Sequence, residues 1–134
     1  MANVERTGWR DEGISRRHRT FGFNFPAVDL DMVLAEYDTC IPSALVEYKL
    51  DTAPAVDISK PNYRVLNYLA GGSSIPLFVT RYSRDYSRYT IMPANSFALY
   101  YVPVITAMSE REYISLLSEV KRRPSSRKSD DLWW

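Results

Sequence analysis

A mixed β-sheet flanked by helices, an α/β or α+β fold, is the architecture this sequence predicts, and three stretches predict it. Residues 26–50, PAVDLDMVLAEYDTCIPSALVEYKL, set two segments rich in Val, Leu, Ile, Ala and Tyr on either side of DTCIP, the composition of an antiparallel hairpin. DISKPNYRVLNYLAGG reads as a helix with Val65, Leu66 and Leu69 on one face. It leads into IPLFVTRYS, a continuous apolar run of strand length suited to the middle of a sheet. SEREYISLLSEVKRR opens on Ser109 with Glu112 three residues on, the pattern of a capping box, and carries Tyr113, Leu116, Leu117 and Val120 as one apolar stripe.

In chain order, residues 1–8 form a lead-in without periodicity. A first helix runs from Arg10 to Thr20, weakened by Gly13 and Ser15, with Trp9 and Ile14 its apolar residues. Strand one is expected at Ala27–Glu36 and strand two at Ser43–Leu50. The next helix starts near Ser59, with Ser59 or Asp57 as its cap and Pro61 in its first turn, and Gly71-Gly72 stops it. The buried strand covers residues 75–83. RYTIMPAN and FALYYVPV follow as further strands, separated by Pro93, Ala94 and Asn95. The last helix ends in Lys121-Arg122-Arg123, cations suited to the negative end of its dipole. One domain spans residues 1–123. Residues 124–134 are expected as a mobile tail, polar up to Leu132-Trp133-Trp134, whose last side chains dock on the body or on a second subunit in a homodimer.

At 134 residues the chain is long enough for a substantial core, and its 46% hydrophobic and 25% charged residues are those of an ordinary globular protein. No apolar run is long enough to span a membrane, and MANVERTGWRDE lacks the apolar centre of a secretory signal, so the expected location is cytoplasmic. A lone cysteine, Cys40, excludes an intrachain disulfide and a cysteine-rich zinc site, and reads as a small buried or turn-adjacent residue. The net charge of +1 does not announce a nucleic-acid binder, but the cations are clustered. Arg16, Arg17 and Arg19 lie together, as do Arg81, Arg84 and Arg88, and Lys121 to Lys128 contains five. Such clusters make either phosphate-binding faces or solvated loops and helix ends.

The hairpin holds the informative residues. Asp29, Asp31, Glu47 and Lys49 sit inside its best strand-forming segments, where charge without a partner is costly. Strand side chains alternate, so Asp29 and Asp31 share one face, and Glu47 and Lys49 share one. Pairing Glu36 with Ala44 puts Asp31 opposite Lys49 and Val33 opposite Glu47, with all four charges on one side and the following helix packed on the other. A slip of one residue splits the set. In that arrangement two carboxylates are hard oxygen ligands suited to Mg²⁺ or Mn²⁺, with the backbone carbonyl of Tyr48 completing the protein ligands. Lys49 is placed to orient an attacking water and to stabilise charge on phosphorus-bound oxygens. The plain alternative is a solvated sheet face with cross-strand ion pairs.

Asp31, followed after a short hairpin by VEYK with Glu47 and Lys49, resembles the D-(x)n-E-x-K motif of the PD-(D/E)XK nuclease superfamily. The order of helix, antiparallel strands, helix and buried strand from about Arg10 to Ser83 is similar to that superfamily's restriction-endonuclease-like core, in texture most like small phage- or prophage-type and Holliday-junction-resolvase-like members. The resemblance implies Asp31 and Glu47 as metal ligands and Lys49 as the catalytic lysine, with Asp29 competing for the first role. It also implies a glutamate from the N-terminal helix, for which Glu12 is the candidate. The literal proline-aspartate pair is absent, since Pro26 precedes Asp29 by three residues. Arg16, Arg17 and Arg19 are expected phosphate contacts, and His18, the one histidine, a phosphate or base contact or a structural residue. The function implied is Mg²⁺-dependent endonucleolytic hydrolysis of phosphodiester bonds, in DNA first. The alternative is a non-catalytic nucleic-acid or protein-binding module that keeps the fold.

Overall fold

The computed structural model describes residues 12–21 and 25–122. Among them the chain forms α1 (Glu12–Arg19), β1 (Met32–Glu36), β2 (Ile41–Leu50), α2 (Pro61–Gly72), β3 (Leu77–Tyr82), β4 (Tyr89–Pro93), α3 (Ser96–Leu99), β5 (Thr106–Met108) and α4 (Glu110–Arg122). The five strands make one sheet in chain order, with β2 and β3 parallel and every other neighbouring pair antiparallel. The parallel step needs a crossover, which α2 supplies. The fold is α+β, a mixed sheet flanked by helices, as the sequence predicts.

Each face of the sheet has its own core. Tyr63, Leu66 and Ala70 of α2 pack with Leu45, Leu77 and Val79. On the other face Tyr113, Leu116 and Val120 of α4 pack with Ala44, Val46, Phe78 and Ile91, and Ala98 of α3 joins them. Central β3 is covered on both sides, so Leu77, Phe78, Val79 and Thr80 are all buried, the physical basis of its continuous apolar run. Each large side chain fully buried here contributes about 1.5–3 kcal/mol relative to exposure. The capping box of α4 is formed in both directions: Ser109 N–H donates to Glu112 Oε1 at 2.8 Å, and Glu112 N–H donates to Ser109 Oγ at 3.2 Å.

Several expectations are corrected. α1 ends at Arg19 with Thr20 in the turn that follows, residues 10 and 11 lying outside the described residues, and α2 begins two residues after Ser59. Its N-cap is Lys60, without a side-chain cap bond, while the Asp57 carboxylate instead accepts from Ser59 N–H and Oγ–H. Gly71 and Gly72 lie within α2 and Ser73 is its C-cap. FALYYVPV is not a strand, because the Asn95 side chain accepts from Ala98 N–H and starts the short α3. That same amide fastens the neighbouring strand, accepting from Leu77 N–H and donating to the Ile75 carbonyl. Cys40 takes the turn-adjacent one of its two expected placements, exposed and in a left-handed conformation (φ 58°) that ends the hairpin turn. The expected tail, residues 124–134, lies outside the described residues.

The hairpin differs most. Glu36 pairs with Ile41 rather than Ala44, closing a four-residue turn, and a bulge leaves Ser43 without a partner between Leu34–Ala44 and Ala35–Pro42. Pro42 has no N–H to give the ladder, and a bulge is where a sheet tolerates it. Strand two therefore starts earlier and then absorbs one extra residue. At the acidic end the register is displaced by two from the expected one, with Met32 opposite Val46. A displacement of two preserves the faces.

Candidate functional site

Strand β1 starts only at Met32, not at Ala27, because the preceding segment leaves the ladder and lies across the α2 side of the sheet. Val28 and Leu30 pack there against the core of Leu45, Leu66 and Val79. The crossover brings Asp31 onto Glu47. Asp31 N–H donates to Glu47 Oε1 at 2.9 Å, and Tyr48 N–H donates to Asp31 Oδ2 at 2.9 Å. Each acid thus spends one oxygen on a backbone N–H, and no other hydrogen bond fixes their second oxygens among the described residues. N–H and C=O of an extended residue point the same way, so the Tyr48 carbonyl also faces the side on which Asp31 sits.

Glu47 is buried, 6% exposed, while Asp31 and Asp29 are exposed. Burial raises the Glu47 carboxyl above the usual carboxylate range. The Asp31 N–H bond opposes that rise, the negative charges of Asp31 and Asp29 add to it, and the Lys49 ammonium opposes it. The acid is held where its charge is poorly compensated, which is the electrostatic condition for taking up a cation. Lys49 shares the Glu47 face and forms no ion pair with either acid among the described residues; its effect on Glu47 is through space. The donor types are those a hard divalent cation takes: one oxygen from each of two carboxylates and a backbone carbonyl. No three His, Cys, Asp or Glu side chains converge as a complete cage among the described residues.

The expectation that α2 packs opposite these charges is wrong. Leu45 shares its face of β2 with Glu47 and Lys49 and belongs to the α2 core, so the acids lie beside α2 on the same face. The shared parity of Leu45, Glu47 and Lys49 puts them on one face, but which face α2 covers is decided by the crossover. Of the arginines, Arg81 pairs across the parallel ladder with Lys49 and so shares that face. Its guanidinium donates to the carbonyls of Asp51 at 2.8 Å, Ala53 and Pro54 at 3.1 Å, holding the turn that follows Lys49. It is a positioning residue, which charge clustering alone did not distinguish from Arg84 and Arg88.

The N-terminal candidates lie on α1. Arg17 and Arg19 are exposed on α1, as is Arg16, and His18 Nε2 lies 2.7 Å from the Phe25 carbonyl with its ring edge-on to Phe21 at 5.6 Å. That contact ties α1 to the start of the segment that leads to Asp31. Glu12 begins α1, and its side chain lies outside the described residues.

On the opposite face tyrosines replace the acids. The Tyr48 and Tyr113 hydroxyls are 2.7 Å apart, Tyr89 stacks on Tyr113 at 4.7 Å, and Tyr89 O–H donates to Glu110 at 2.7 Å. Burial pushes the Tyr48 hydroxyl far up and that of Tyr89 up to about 12, so all stay neutral. Thr80 lies beside the Tyr113 hydroxyl, but its buried Oγ1 meets no partner in acceptable hydrogen-bond geometry. No helix is long and apolar enough to cross a membrane among the described residues. Compared with protein-family models, curated proteins and solved structures, the chain matches none.

Proposed function

We propose that this chain is a metal-dependent nuclease that hydrolyses phosphodiester bonds, with DNA as the first substrate to test. The observation that carries the reading is the mutual fastening of Asp31 and the buried Glu47, with Lys49 on the same face. Asp31, Glu47 and the Tyr48 carbonyl would hold Mg²⁺ or Mn²⁺, and Asp29 is close enough to act on Glu47 electrostatically as an auxiliary acid. A bound divalent cation supplies an acidified water and shields phosphate charge. Lys49 orients that water and stabilises the negative charge that develops on the phosphorus-bound oxygens. Arg81 keeps the turn after Lys49 in place, so that the ammonium is presented from a fixed backbone. Exposed Arg16, Arg17 and Arg19 are assigned to backbone phosphates, contacts that position a strand without reading its sequence.

A second reading rests on the same hydrogen bonds. They also tie residues 25–31 to β2, which is all that a non-catalytic binding module would require of them. Asp31→Asn and Glu47→Gln separate the two, because both amides keep an oxygen to accept the backbone N–H and remove only the charge. The test is cleavage of labelled linear, nicked, flap and four-way DNA with Mn²⁺, with and without chelator, beside calorimetric Mn²⁺ titration. Chelator-sensitive cleavage lost in both amide variants, together with Mn²⁺ binding, is the expected result. Absence of cleavage and of Mn²⁺ binding in the unmodified chain leaves the binding module standing.

A further inference from the structure

The hairpin between β3 and β4 has a tip whose residues serve no core. Tyr82 and Tyr89 are its last paired residues, and Ser83 N–H donates to the Arg88 carbonyl at 3.0 Å to close the loop. Tyr86 N–H donates to the Ser83 carbonyl at 2.9 Å, and Tyr86 itself is left-handed, with φ 62°. Hairpins fill such a position with Gly or Asn, because a bulky side chain there is strained. Here it carries a tyrosine, 57% exposed, whose ring lies nearly parallel to that of Tyr82 (5.9 Å between centroids, 16° between planes). Tyr82 in turn stands edge-on to Tyr48, so the lower ring is anchored in the core and the upper one presents a free face.

Cations neighbour Tyr86 in the chain. Arg84 and Arg88 flank Tyr86 and are exposed, and neither side chain meets a carboxylate among the described residues. The intervening acid, Asp85, stays ionised and braces the loop through one oxygen, accepting from Ser83 Oγ at 2.8 Å, Ser87 Oγ at 2.7 Å and Ser87 N–H at 3.1 Å. Two exposed arginines therefore stand two residues to either side of an exposed aromatic side chain, on an internally braced loop. An apolar partner would leave both cations unmatched, whereas a strand of nucleic acid supplies a planar base for the ring and phosphates for the arginines. The bases of a duplex are already stacked on one another, so an unpaired base is what fits.

We propose that this hairpin tip binds single-stranded nucleic acid, with a base stacked on the outer face of Tyr86 and the adjoining phosphates on Arg84 and Arg88. The tip lies at the end of the sheet where β2 finishes, since Asp51 N–H donates to the Tyr82 carbonyl at 2.8 Å. Tyr82 shares the Tyr48 face, across the sheet from Glu47. The surface is thus distinct from the carboxylates and does not depend on their chemistry.

The test is fluorescence anisotropy of a labelled oligothymidine, and of a labelled duplex, with the full chain in EDTA. With no divalent cation present, binding here and cleavage at the carboxylates succeed or fail separately. The single strand should bind more tightly than the duplex. Tyr86→Ala should weaken single-strand binding roughly 5- to 150-fold, the usual value of one base on one aromatic ring. Tyr86→Gly should weaken it equally while relieving the strained backbone, and Tyr86→Trp should retain it, each with the wild-type circular dichroism spectrum. Removing both guanidinium groups (Arg84→Gln with Arg88→Gln) should flatten the logarithmic salt dependence by about 1.4. Wild-type affinity in Tyr86→Gly, or no single-strand binding by the unmodified chain, overturns the proposal.

Discussion

Two neighbouring residues of β2, Glu47 and Tyr48, bury polar groups on opposite faces of the same sheet by opposite means. Beneath α4, Tyr48 meets Tyr113 hydroxyl to hydroxyl at 2.7 Å, and both groups stay neutral. Beside α2, Glu47 carries a carboxylate into a buried position and finds another carboxylate there, with an ammonium too distant to pair. The first solution is the economical one for stability, since a neutral pair satisfies both partners without charge desolvation. The second sets the Asp31 N–H bond against the cost of desolvating a carboxylate, which Lys49 compensates only in part. An arrangement that costs stability and concentrates negative oxygen is the place to look for ligand chemistry.

The largest effect expected from this contrast is on cleavage. Lys49→Ala should lower the rate by about 10²- to 10³-fold, the usual loss for one charge-stabilising donor, while Mn²⁺ affinity by calorimetry stays near wild type. Full activity in that variant would end the nuclease assignment and erase the functional side of the comparison.

On the tyrosine face, Tyr48→Phe should destabilise the fold by about 1–3 kcal/mol in urea, because it strands the buried Tyr113 hydroxyl. The double change with Tyr113→Phe should recover much of that loss. A single variant as stable as wild type would show that the hydroxyl pair is incidental.

Charge removal at Glu47 should act in the other direction. With burial raising its carboxyl, the folded state holds the proton more tightly than the unfolded chain does. Stability without divalent cation is then highest below the ordinary glutamate range and falls as pH rises from there through the raised value. Glu47→Gln keeps an acceptor for Asp31 N–H, removes that slope, and should raise the neutral-pH Tm by about 3 °C for each kcal/mol of relieved charge. Added Mn²⁺ should stabilise the wild type and leave the variant unchanged. A lower Tm for Glu47→Gln at neutral pH would mean that the carboxylate is compensated after all.

The smallest change concerns Thr80. Its Oγ1 is the buried side-chain polar atom without a partner among the described residues, so Thr80→Val should be neutral or stabilising by about 1 kcal/mol in thermal unfolding. A clear loss would reveal a hydrogen bond to Tyr113.

What could be read beforehand had a local cause. The α4 capping box, the apolar stripe of Tyr113, Leu116 and Val120, and the unbroken apolar run of β3 are each decided by residues adjacent in sequence. Asn95 was equally local, yet the apolar run after it outweighed a cap signal that tertiary packing used. Asp29, Asp31, Glu47 and Lys49 were recognisable as misplaced charge, and period-two alternation puts Glu47 and Lys49 on one face whatever the register.

By itself the sequence determined the mixed sheet, the helices on its two sides and the segment in which the acids lie, because propensity, capping and alternation act over a few residues. Only the tertiary structure decided how the acids meet. The bulge at Ser43 set the register, and Val28 and Leu30 drew their segment out of the ladder onto the α2 core. That crossover put Asp31 on Glu47, beside α2 rather than opposite it. Arg81 was likewise separated from Arg84 and Arg88 by the end of a strand, the first turned onto backbone carbonyls and the others left at a hairpin tip. Contacts between residues far apart in the chain depend on register and crossover, and no short-range pattern encodes either one.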